Sequence, residues 1–257
     1  MEIRFIGSGD AFGSGGRFNT CFLVTGEQCR FLIDCGASSL VALKQAGIDL
    51  DSINGVVLSH LHGDHFGGLP FFLLDARLIA RRRRPFFIFG PAGLPARLAA
   101  AQEVLFPGSS QNVLGFALGL REIEALKRQA GRGFAVTPFP AAHSAGAPCF
   151  SLRLECDGRI VTYSGDTQWS ENLAAAAQSA DLFICECSSY ETPIKGHLDY
   201  RSLAPRLARL GAKRVILTHM NPDMLERRLA LAHETAFDGM IVTLPPAVNR
   251  PRDGADA

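Results

Sequence analysis

Residues 60–65 read His-Leu-His-Gly-Asp-His, directly after the apolar run Val56-Val57-Leu58. Four metal-capable side chains fall within these six residues, just past a stretch whose apolar, β-branched character predicts a buried strand. His60 and His62 are two apart, so a strand-like exit turns both imidazoles to the same side. Asp64 and His65 are adjacent and in a turn can aim at a second point nearby. One short loop could therefore seed two metal sites. Imidazole and carboxylate without thiolate suit Zn²⁺, Mn²⁺ or Fe. The whole chain holds only seven histidines, so three in one loop require a reason.

The chain has 257 residues, enough for one large core, and residues 1–247 are expected to form a single domain. Val248–Ala257, rich in Arg, Asp and Pro, reads as a flexible tail. Hydrophobic residues make up 47% and charged residues 20%, the profile of a soluble globular protein. A net charge of +1 gives no global pull toward nucleic acid or anionic lipid. Residues 1–6 read as a short strand and not as a signal peptide, and Pro70 and Asp75 interrupt the longest candidate span, 66–80. A cytoplasmic protein without a membrane partner is expected. The seven cysteines (Cys21, Cys29, Cys35, Cys149, Cys156, Cys185 and Cys187) include no Cys-x-x-Cys, which points to free buried thiols in a reducing compartment.

Strand-like runs fall at 2–6, 20–25, 30–34, 55–59, 86–90, 133–139, 149–155, 159–164, 181–186 and 213–218. Helical patterns fall at 38–46, 67–80, 94–105, 116–130, 170–179 and 199–210, and His233 is placed on a late helix in a surface or structural role. The apolar pattern at 67–80, with Phe71, Phe72, Leu74 and Leu78, could serve a homodimer face or ordinary core. Arg81–Arg84 reads as a solvated helix end whose cations complement the macrodipole, ahead of Pro85, with phosphate or RNA contact as the competing reading. Strands with helices interspersed in both halves suggest an α+β arrangement of helix-covered sheets.

Other metal-capable residues follow apolar strands, where loops hold functional groups on a rigid frame. His143 lies in Ala-Ala-His-Ser-Ala, Asp166 in Ser-Gly-Asp-Thr after Ile160–Tyr163, and His219 after Val215–Thr218. Each alone has a plain alternative: a loop histidine, a helix cap (Ser170 being a better one), a hydrogen-bonded strand end. Together with the first loop they make seven potential ligands.

The His-x-His-x-Asp-His loop, the Ser-Gly-Asp-Thr and the Thr-His, in that order, resemble the metallo-β-lactamase fold superfamily, in its binuclear hydrolase branch. The resemblance runs from Gly7 to about His219. It implies a four-layer αββα sandwich with two divalent metal ions, zinc foremost and Mn or Fe as options, at one edge. By the family pattern His60, His62 and His143 would bind one metal. Asp64, His65 and His219 would bind the other, and Asp166 would bridge them.

His197, in Gly196-His197-Leu198 before a helix, resembles a non-ligand histidine of the RNase Z-like branch near the substrate phosphate. It could protonate a leaving oxygen or stabilise transition-state charge, and Glu186 could orient it. Asp64, His197 and Glu186 are thus the candidate catalytic residues. Gly7–Asn19 resembles the first loop of that branch, and Arg17 and Asn19 could touch substrate or simply shape a turn. Asp34 matches a family aspartate that supports the metal loop from behind.

The resemblance implies attack by a metal-bridging hydroxide, two metals lowering the pKa of water from 15.7 to about 7. The expected substrate is a small or cyclic phosphodiester. A tRNA 3′-processing endoribonuclease of the RNase Z type is an alternative, but that type usually carries a long arm after the metal loop. Here 73–142 reads as helices and one strand with a modest loop at 106–114. An acyl hydrolase of lactone, thioester or β-lactam type is a further alternative.

Overall fold

The computed structural model describes residues 1–245, so the expected tail at 248–257 lies outside the described residues. In chain order the strands are β1 (Glu2–Gly7), β2 (Cys21–Thr25), β3 (Arg30–Ile33), β4 (Gly55–Val57), β5 (Phe86–Gly90), β6 (Leu118–Glu122), β7 (Gln129–Gly131), β8 (Phe134–Pro140), β9 (Phe150–Cys156), β10 (Arg159–Tyr163), β11 (Leu182–Glu186), β12 (Val215–Thr218), β13 (Glu234–Thr235) and β14 (Ile241–Thr243). The α-helices are α1 (Ser39–Gln45), α2 (Gly63–Phe66), α3 (Leu69–Leu78), α4 (Leu94–Leu105), α5 (Glu171–Ala177), α6 (Tyr200–Leu207) and α7 (Pro222–Arg227).

Two seven-stranded sheets carry the fold, ordered β14-β1-β2-β3-β4-β5-β6 and β13-β12-β11-β10-β9-β8-β7. In each, antiparallel pairs give way to parallel ones: β3-β4-β5-β6 in the first sheet, β10-β11-β12-β13 in the second. Strand alternation explains the layers. Phe22, Val24, Phe31, Ile33, Val161, Tyr163, Leu182 and Ile184 face inward into one core between the sheets. Their neighbours face outward: Leu23 and Leu32 meet α1 and α3, and Phe183 and Cys185 meet α5 and α6. Each sheet is thus apolar on both faces and covered by helices on its outer one, the αββα sandwich expected.

The segment 116–130, expected as a helix, instead supplies the edge strands β6 and β7. β6 is half-exposed and pairs in parallel with β5, a long-range partner that local periodicity cannot reveal. His233 lies in a bend before β13 and not on a helix, where its ring nitrogen meets the Tyr200 hydroxyl at 3.1 Å. Within the arginine run Arg82 is buried, contrary to the solvated end expected. Its guanidinium donates to the carbonyls of Leu50, Asp51, Ile53, Arg84 and Pro85. Those carbonyls lie ahead of β4 and β5, at the edge opposite the strand ends described below. All seven cysteines are buried and free, and the sulfurs of Cys29 and Cys156 lie 3.0 Å apart. Among the described residues no helix is long and apolar enough to cross a membrane.

Candidate metal centre

Parallel strands end together, and here their carboxyl ends carry the polar residues that the sequence singles out. His60–His65 follows β4, Asp166 follows β10, His219 follows β12, and His143 follows β8, which runs the same way as β10. The seven candidate ligands form two groups that share Asp166. In the first, His62 Nδ1 lies 3.2 Å from His60 Nε2 and 3.1 Å from His143 Nε2. Asp166 Oδ2 stands 3.8 Å from His60 Nε2 and 4.0 Å from His143 Nε2. In the second, His65 Nε2 lies 3.1 Å from Asp64 Oδ2 and 3.2 Å from Asp166 Oδ1. His219 Nε2 lies 3.3 Å and 3.5 Å from the same two oxygens.

The three histidines of the first group and all the contacts of the second fit a cation at the centre of each, with Asp166 Oδ2 standing somewhat farther off in the first. Tetrahedral ligands at 2.0–2.2 Å from zinc sit about 3.3 Å from one another. Hydrogen bonding alone does not account for the contacts: His65 Nε2 and Asp166 Oδ1 are buried and have no hydrogen-bond partner among the described residues. Buried polar atoms of this kind are costly unless something else satisfies them. Electrostatics agrees. Burial opposes charge on His219 and His65, but Asp166 and Asp64 outweigh it, raising His219 to about 9 and His65 well above the usual range. That half of the site therefore draws positive charge. In the other half, burial and the neighbouring His65 hold His60 well below its usual value, keeping its imidazole neutral, the form that ligates.

The atoms behind the cluster fix these rings. Asp34 accepts from His65 Nδ1 and from the Ser59 hydroxyl, each at 2.7 Å, and its other oxygen accepts the Ser59 amide. The Ser59 oxygen in turn takes the proton of His60 Nδ1 at 3.0 Å. One buried carboxylate thus orients two rings of the first loop. His143 Nδ1 donates to the Gly196 carbonyl at 2.9 Å. A side chain at Gly196 would collide with the His143 ring, and at φ +85° it would also be strained. Gly165, at φ +59°, is similarly enforced: a Cβ there would lie 2.5 Å from the Phe150 carbonyl. The amide of His219 donates to the Ser8 carbonyl, so the loop after β1 positions the last histidine. Ser170 rather than Asp166 caps α5, leaving Asp166 to the cluster.

His197 sits beside both groups without belonging to either pair of contacts above. Its ring lies 5.1 Å from that of His143 and stacks at 5.5 Å on that of His219. Its Nδ1 meets Glu186 Oε1 at 3.1 Å, and the same oxygen accepts the Thr167 amide. Against burial, Glu186 raises the His197 imidazole above its ordinary value. The side chains of Arg17 and Asn19 are engaged by the fold. Arg17 donates to the Ala236 carbonyl, and Asn19 bonds the Asp10 carbonyl and the amide and hydroxyl of Ser38. Ser59 and Gly196 are supporting residues that the sequence reading missed; their only signal was adjacency to His60 and His197.

The profile of the family described as Anti-Pycsar protein Apyc1 matches residues 1–242. The Anti-Pycsar protein Apyc1 of Saccharibacillus brassicae is 30% identical over 179 residues, covering 67% of this chain and 70% of that one. A ribonuclease Z of Agathobacter rectalis is 24% identical over 277 residues, covering 88% and 89%. Human tRNase Z, short form, shares the fold with a TM-score of 0.77 at 24% identity, over 95% of this chain and all of that one, 100%.

Proposed function

This chain belongs to the Anti-Pycsar protein Apyc1 family, in the RNase Z-like branch of the metallo-β-lactamase fold superfamily, and we propose that it is a binuclear phosphodiesterase acting on a small or cyclic phosphodiester. His60, His62 and His143 would hold one divalent cation, Asp64, His65 and His219 the other, with Asp166 touching both. When bound, two such ions supply Lewis-acid stabilisation of developing charge and acidify water from a pKa of 15.7 to about 7. Zinc suits the imidazole-rich donor set.

The observation that carries the phosphodiester reading is His197. Glu186 holds Nδ1, which leaves Nε2 as the atom to hand a proton to the departing oxygen. A thiolate leaves without such help, whereas an alkoxide leaving phosphorus benefits from it. Asp34 and Glu186 play matching parts: each is a buried carboxylate that fixes the tautomer and direction of a histidine in front of it.

A small substrate accords with the compact segment after the metal loop. Residues 67–142 run through α3, β5, α4, β6, β7 and β8, and the longest stretch outside them, 106–117, includes a 3₁₀ turn. The ribonuclease Z relatives support a second reading, cleavage of RNA. A screen of the metal-reconstituted protein separates them: bis-p-nitrophenyl phosphate, cyclic nucleotides, a precursor tRNA, a lactone and a thioester. Hydrolysis of the small diesters at the highest kcat/KM is expected. Preferred cleavage of the precursor tRNA, or of either acyl substrate, would overturn the proposal.

A further inference from the structure

Next to the cluster, a cavity of about 690 Å³ opens between the loop after β10 and the entry to α6. Gln168, Trp169, Lys195, His197, Ser202 and Arg206 are among the residues lining it. His197 lines the cavity, and its ring lies 5.1 Å from that of His143 and 5.5 Å from that of His219, so the space adjoins the place where a scissile group would sit. A volume of this size holds a whole small ligand and not a diester group alone.

The charges lining the cavity do not balance locally. Its one acidic residue, Asp199, is occupied as the cap of α6, accepting from the Ser202 amide at 2.9 Å and hydroxyl at 2.7 Å. Its two cations, Lys195 and Arg206, pair with no carboxylate among the described residues. Other arginines of this half do: Arg201 with Glu191, Arg214 with Glu234, Arg227 with Asp223. Arg206 is also held in place. Its guanidinium carbon lies 4.9 Å over the Trp169 ring, and Trp169 packs on the core beneath α5 and α6. A guanidinium held over an aromatic face can keep N–H donors available for a phosphate.

We propose that this cavity holds a second anionic group of the substrate, a phosphate carried on the leaving side, gripped by Arg206 with Lys195 in support. The inference rests on the phosphodiesterase reading. A charge-assisted contact of this kind changes affinity about 10- to 100-fold.

The test compares a nucleoside 2′,3′-cyclic phosphate with the same compound bearing a 5′-phosphate, on wild type, Lys195→Ala, Arg206→Ala and Arg206→Gln. Arg206→Gln retains a stem to pack on Trp169, so a folding defect in the alanine variant does not decide the outcome. In wild type the 5′-phosphate is expected to lower KM at least about 10-fold, less so at high salt. Both Arg206 variants should remove that gain while leaving kcat and the KM of the unphosphorylated compound near wild type. Equal KM values in wild type, or variants that shift both compounds alike, overturn the subsite. If neither compound is hydrolysed and the other small diesters of the screen also resist, the phosphodiesterase reading fails separately. Calorimetric binding of the 5′-phosphorylated compound then decides the subsite: weaker binding by Arg206→Gln supports it, and equal binding removes it.

Discussion

Asp166 offers one oxygen to each half of the site, Oδ2 toward His60 and Oδ1 toward His65. Asp166→Ala should therefore abolish hydrolysis and drop metal content well below two ions per chain. Wild-type rate and metal content in that variant would remove the shared-ligand assignment. His197 makes a different prediction, because it lies outside the ligand contacts. His197→Ala should slow turnover of an alkyl diester roughly 10²–10⁴-fold with metal content intact. The loss should shrink for bis-p-nitrophenyl phosphate, whose leaving group needs little protonation; an equal loss for both would eliminate the proton-donor role. The residues that converge here were legible because imidazoles and carboxylates after strands are rare and chemically loud. Their supports were less so. A serine hydroxyl at Ser59 and a backbone carbonyl at Gly196 have no pattern of their own, and only the fold brings Gly196 to His143.

At the scale of elements, strands buried on both faces could be read from short apolar runs, as with Phe31–Ile33 and Leu182–Cys185. β6 could not. Only Leu118 and Leu120 alternate toward the helix layer, and Ile123 and Leu126 at three-residue spacing imitate a helix. β13 and β14, of two and three residues, are too short to carry a period. Arg82 misleads for another reason: a charged run normally marks a wet helix end, yet this side chain is buried and donates to five carbonyls. Arg82→Ala should cost roughly 2–3 kcal/mol in denaturant unfolding, since buried acceptors lose their donor. Activity per folded molecule should stay at the wild-type level. A cost below about 0.5 kcal/mol would mean that the side chain is solvated after all.

At the scale of the molecule, the centre joins two halves. His60, His62, Asp64 and His65 follow a strand of the first sheet, and His143, Asp166 and His219 follow strands of the second. Cations held between them would tie the sheets together at one edge, so binding free energy becomes folding free energy. Chelation should lower Tm by roughly 5–10 °C in the wild type, and by much less in Asp166→Ala. An unchanged wild-type Tm on metal removal would mean that the sandwich is closed by its apolar core alone. Two cations and one diester are expected to meet at this edge. The most direct test is a titration of metal-free protein with Zn²⁺ or Mn²⁺ while hydrolysis of a small cyclic phosphodiester is followed. Activity should rise to a plateau at two equivalents per chain; a plateau at one equivalent, or no diester hydrolysis at saturation, would contradict it.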